Sequence, residues 1–216
     1  QPVIYVSHGS PTFALEPGLV GPQLRAFGQK LSGVKAIVVV SAHWMTRGAA
    51  LVTGAEQPAT IHDFGGFPDQ LYELQYPVPG APQLSHAIAE QLLQAGFESA
   101  VHPNRGLDHG AWVPLLHLMP EAQLPVIQVS MPHPMTAEVA LHMGRALATL
   151  REQGVLLMAS GSLTHNLYEL RRGEAETPEY VHEFVQWARQ AVRSHDLEAL
   201  ANYRDRAPHA MRAHPT

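Results

Sequence analysis

The chain contains no cysteine. That excludes disulfides, thiolate nucleophiles and zinc sites of the finger type, and it is compatible with a reducing cytoplasm, the expected location. Lysine occurs only at Lys30 and Lys35, and no run of basic residues is present. With a net charge of -5 there is no cationic surplus to displace counterions, so neither nucleic acid nor an anionic membrane is expected as a partner. No apolar run approaches the roughly 20 residues that span a bilayer. Internal repeats and a dividing linker are also missing, so residues 1–216 read as a single domain long enough to bury a core.

Histidine, by contrast, is abundant: fourteen are dispersed along the chain. Three of them follow apolar runs. Ala36 to Val40 is β-branched without polar alternation, which predicts a strand buried on both faces near the centre of a parallel sheet, and it ends in Ser41-Ala42-His43-Trp44. Val3 to Val6 ends in Ser7-His8-Gly9, and Val155 to Ala159 leads through Ser160 and Gly161 to His165. In open α/β sheets ligands bind outside the carboxyl ends of the strands. His8, His43 and His165 are therefore candidates to converge on one metal there, against the plainer alternative that each is satisfied by a backbone hydrogen bond.

Strand and helix signals alternate along the rest of the chain. Further strands are expected at Ala49 to Thr53, Phe97 to Val101 and Val126 to Val129. Helices are expected over Gln23 to Leu31, from Pro82 to Ala95, over Val113 to Met119, after a Thr136 cap, over Pro178 to Val192 and over Asp196 to Tyr203. The tail from Ala207 has no assignable structure. The class is α/β, a mainly parallel central sheet flanked by helices, with a metal site at the C-terminal edge of the strands.

Two stretches stand apart from this alternation. Residues 58–82 lack periodicity and are rich in Gly, Pro and aromatics. Phe64, Phe67, Tyr72 and Tyr76, with the nearby Trp44, either line a pocket for a flat ring or pin the loop to itself. Asn104 to Trp112 presents His109 beside Asp108 just before an apolar helix, a setting in which a carboxylate orients an imidazole.

Histidine ligands without cysteine suit Zn(II) or non-haem Fe(II). The blocks S-H-G-S-P at 7–11, S-A-H-W at 41–44, I-H-D-F-G-G-F-P at 61–68, L-D-H-G-A-W at 107–112 and G-S-L-T-H-N-L at 161–167 resemble, in the same order, the class III extradiol ring-cleavage dioxygenases, in particular their DOPA 4,5-dioxygenase-like branch. The resemblance implies a small aromatic diol and O2 as substrates, Fe(II) as the functional metal with Zn(II) as a competitor, and self-association left open. It implies His8 and His43 as ligands, His109 near the substrate hydroxyls, and His165 as either a further ligand or a general base. His62, Asp63, Phe64 and Trp44 are then expected at the substrate. It also implies a segment after His214-Pro215-Thr216 carrying another ligand and a last strand. The competing readings are a zinc hydrolase, and a metal-binding scaffold without catalysis of the kind that Memo-like proteins of the same superfamily represent.

Overall fold

A computed structural model describes residues 1–169 and 176–215; Thr216, the last residue of the H-P-T motif, lies outside them. The elements in order are β1 (Val3–Ser7), α1 (Val20–Gly28), β2 (Ala36–Arg47), β3 (Ala50–Thr53), α2 (Gln70–Glu73), α3 (Pro82–Gln94), β4 (Ser99–His102), α4 (His109–Leu118), β5 (Val126–His133), α5 (Ala137–Leu147), β6 (Val155–Gly161), α6 (Glu179–Arg193), α7 (Leu197–Ala201), α8 (Tyr203–Arg206) and α9 (Ala210–Ala213). Two compact units are formed, Gln1–Met135 with His142–Gly161, and Thr136–Leu141 with Ser162–Thr216.

The first unit holds a six-stranded sheet in the order β1-β6-β2-β5-β3-β4. All neighbours are parallel except β3 and β5, which meet through Val52 and Val129. The apolar run of β2 is buried on both sides, as its lack of polar alternation predicts. Ile37 and Val39 face one core with Leu156, Met158 and the α4 residues Ala111, Trp112, Val113 and Leu115. Ala36 and Val38 face the other, with Val155, Leu157, Ile88 and Leu92 of α3, and Met143 and Leu147 of α5. Each fully buried Val or Ile side chain contributes about 1.5–3 kcal/mol, so the strand that carries His43 is among the best anchored parts of the sheet.

Several boundaries differ from expectation for identifiable reasons. The first helix begins at Val20, with Pro22 inside its first turn, where no helical hydrogen bond is lost. Helix α4 begins four residues earlier than the apolar pattern indicates, because Asp108 and His109 form its first turn. β2 does not stop at Trp44 but continues to Arg47. Its pairing with β5 slips between Val40 and Met45, so residues 41–44 stand opposite Ser130 alone. Such a bulge frees side chains from the ladder and re-aims them.

In the second unit, Tyr180 and Phe184 of α6 pack with Ala207, Ala210 and Ala213. The tail therefore carries a helical turn, Ala210–Ala213, whose residue types favour helix but whose four residues are too few to hold one alone; burial of its two alanines supplies the rest. Among the described residues no helix is long and apolar enough to cross a membrane.

Candidate active site

His8 follows the last residue of β1, and its N–H donates to Gly161 O at the end of β6 (3.0 Å). His43 sits in the β2 bulge, and His109 opens α4. The side-chain nitrogens these three residues offer lie within 4.8 Å of one another, a group that contains His109, expected at the substrate, rather than His165, expected with His8 and His43 at the metal. His8 and His109 are buried and His43 is exposed, so the group is walled on two sides and open on the third.

The hydrogen bonds around the rings fix which nitrogen carries the proton. Ser160 Oγ donates to Gly110 O, which can only accept. Ser160 therefore accepts from His8 Nδ1 at 2.8 Å, leaving His8 Nε2 as the bare nitrogen. His109 Nδ1 donates to Asp63 Oδ1 at 3.0 Å, and the same oxygen accepts the His109 N–H at 2.9 Å, so Nε2 is again the bare atom. Burial pushes the Asp63 carboxyl up, but the hydrogen bonds and charge of His109 outweigh it and hold the group below its ordinary value.

His8 Nε2 and His43 Nε2 are 2.9 Å apart. Two imidazole nitrogens bound to one ion at about 2.0–2.1 Å and at right angles would stand about 2.9 Å from each other. The donor set is neutral nitrogen without sulfur, which suits a borderline divalent cation such as Fe(II) or Zn(II). The residues present thus fit a metal.

The 58–82 loop is brought to this site by pairing: Leu107 N–H donates to Ala59 O and Ile61 N–H to Leu107 O, each at 2.8 Å. This places Phe64 edge-on to His109, with ring centroids 5.6 Å apart, and groups it with Tyr72, Phe67 and Trp112. His62 joins the same cluster, its ring 5.6 Å from Trp112, and donates through Nε2 to Leu74 O (3.0 Å). The loop's rings thus pin it together, and one of them, Phe64, also flanks His109. Trp44 is set apart from them, buried under the Arg105 guanidinium and edge-on to His102. Tyr76 is core, its hydroxyl donating to Met119 O, and burial together with the charge of Glu121 pushes its phenol up.

The carboxylate that orients His109 is Asp63, not its chain neighbour Asp108. Asp108 turns instead to Ser41 and Gln128. His165 belongs to the second unit, where its N–H donates to Ala213 O at 2.8 Å. The residues that sequence reasoning passes over are Ser160, Ser41 and Gln128. The signal for the last was present, as Gln128 is the one polar residue within the apolar run Val126 to Val129.

The chain is similar to known proteins over nearly its whole length. Residues 4–216 match the family model described as the catalytic LigB subunit of aromatic ring-opening dioxygenase. The chain is 39% identical over 214 residues to the 4,5-DOPA dioxygenase extradiol of Escherichia coli K12, covering 95% of this chain and 76% of that protein. It is 36% identical to the protein of the same name from Beta vulgaris, with 98% and 80% covered. The crystal structure of uncharacterized protein JW3007 from Escherichia coli K12 superposes with a TM-score of 0.78 at 30% identity, covering 99% of this chain and 82% of that one.

Proposed function

The chain belongs to the LigB family of aromatic ring-opening dioxygenases and is an extradiol ring-cleavage enzyme, and from that premise we propose that it opens a small catechol with O2 at an Fe(II) held by His8 and His43. The observation that carries the proposal is the pair of Nε2 atoms 2.9 Å apart, with the His8 tautomer fixed by Ser160. Bound there, Fe(II) would supply open positions for the two catechol oxygens and for dioxygen.

The protein's own residues do the rest. His109, whose Nδ1 is tied to Asp63, has Nε2 available to accept a proton from a catechol hydroxyl and to return one to the product. Phe64, Tyr72 and His62 offer ring faces and edges beside it, suited to a flat apolar substrate. Trp44, whose ring lies under the Arg105 guanidinium, is proposed at the substrate on the family resemblance alone. The role that family resemblance implies for His165, ligand or general base, is proposed on that resemblance. His165→Ala separates the two, since loss of a ligand lowers metal content and loss of a base lowers turnover alone. A reducing cytoplasm, where ferrous iron persists, is the proposed setting.

Anaerobic loading with Fe(II), followed by a panel of catechols and isotopically labelled dioxygen, tests the proposal. Both labelled atoms should appear in a ring-opened product. Hydrolysis with zinc and no oxygen demand would replace it with a hydrolase.

A further inference from the structure

Asp108 is completely buried, and the reaction as proposed gives it no task. It precedes α4 in extended conformation, φ -76° and ψ 170°, the position from which an aspartate ordinarily caps a helix, yet its side chain makes no cap hydrogen bond. Its carboxylate is committed elsewhere. Oδ1 accepts from Ser41 Oγ at 2.7 Å, Oδ2 accepts from Gln128 Nε2, and the Arg105 guanidinium lies 3.7 Å from Oδ2.

Gln128 completes a two-way match with the same residue. Its Oε1 accepts the Asp108 N–H at 3.2 Å, and its own N–H donates to Thr53 Oγ1 at 2.9 Å. Ser41 then passes the restraint to His43. Because the serine's one proton is spent on Asp108, its oxygen is oriented to accept the His43 N–H at 3.2 Å. Ser41 is the last β2 residue paired with β6, opposite Ser160, while residues 42–44 lie in the stretch where the register against β5 slips, so the two ladders hold the start of the bulge more closely than His43 itself.

We propose that Asp108 and Gln128 are positioning residues, a clamp that holds the β2 bulge so that His43 keeps ligand geometry for a divalent metal. The proposal rests on the reading of His43 as a ligand. The clamp joins β5, the start of α4 and the bulge through one buried carboxylate, and its donors and acceptors match in only one sense. Asn at 108 must turn its amide N–H2 either toward Gln128 Nε2, which loses that bond, or toward Ser41 Oγ, which then has to accept from 108 and rotate away its proton, changing the orientation in which it accepts the His43 N–H. Glu at 128 alone would face a carboxylate with a carboxylate. Together, Asp108→Asn and Gln128→Glu restore the side-chain bond between 108 and 128 with donor and acceptor exchanged and keep the Ser41 bond as it is, giving up only the 3.7 Å approach of Arg105 to Oδ2.

The test is Co(II) affinity by calorimetry and the visible d–d spectrum of the Co(II) protein, measured on the wild type, His43→Ala, both single variants and the double variant. Each single substitution should weaken binding about 10–100-fold, the range typical for groups that orient a metal ligand, and the double should return to within about threefold with the wild-type spectrum. A single variant with wild-type affinity, or a double variant that stays weak or does not fold, overturns the clamp. If a single variant fails to fold, the double still decides. A His43→Ala protein that binds Co(II) as the wild type does would overturn the ligand reading itself, a result distinguishable from failure of the clamp alone.

Discussion

Asp63 Oδ1 accepts both the backbone N–H and the Nδ1–H of His109, at 2.9 and 3.0 Å. One carboxylate oxygen thus fixes the place where α4 begins and the ring orientation of its first residue. Asp63→Asn retains an acceptor but removes the charge that stabilises the protonated ring. Turnover should fall about 10–100-fold with KM nearly unchanged. Steady-state oxygen uptake checks this; a rise in KM alone would mean that Asp63 contacts substrate instead.

The same pair gives a pH dependence. The folded Asp63 carboxyl lies below its ordinary value, so its contribution to stability is complete above the unfolded value of about 3.9 and is lost as pH falls through the lower folded one. Thermal melts of metal-free wild type and Asp63→Asn should differ near neutrality and converge in strong acid. Curves that stay parallel from neutral pH down into strong acid would show that Asp63 does not bring this linkage.

His109→Phe removes the bare Nε2 while keeping an aromatic ring beside Phe64. Loss of acid–base catalysis is worth about 10²–10⁴-fold, so turnover should fall by that order with bound iron, measured by plasma emission, unchanged. Loss of the iron would make His109 a ligand.

At Gly110 an added Cβ would overlap Ser41 Oγ and stand 3.0 Å from His43 Cδ2. Neither neighbour can retreat, since Ser41 is bonded to Asp108 and His43 lies within the bulge. Gly110→Ala should therefore lose divalent-metal binding in calorimetry even where the fold, followed by circular dichroism, survives. Wild-type affinity would mean that the helix start and the bulge are free to separate.

Much of this was legible in the sequence because it rests on uninterrupted apolar runs. Ile37 to Val40 announces a strand covered on both sides, and the polar residues that follow Val6 announce the strand end where His8 stands; those that follow Val40 mark the bulge that holds His43. The partners of those histidines were not legible. Asp108 and His109 are adjacent, but one is extended and the other helical, so their side chains diverge, and the carboxylate 46 residues earlier reaches the ring instead. That approach depends on Leu107 pairing with Ala59 and Ile61, a contact between irregular segments that no periodicity encodes. The bulge was hidden for a similar reason: Ser41-Ala42-His43 reads as the end of the strand, and only the register against β5 shows that β2 goes on to Arg47 with four residues facing one.

The central claim is that one ion sits between His8 and His43, and anomalous scattering from crystals loaded anaerobically with Fe(II) tests it most directly. The account predicts a single iron peak within bonding distance of both Nε2 atoms. An iron peak elsewhere, or bound iron that leaves either imidazole uncoordinated, would contradict it.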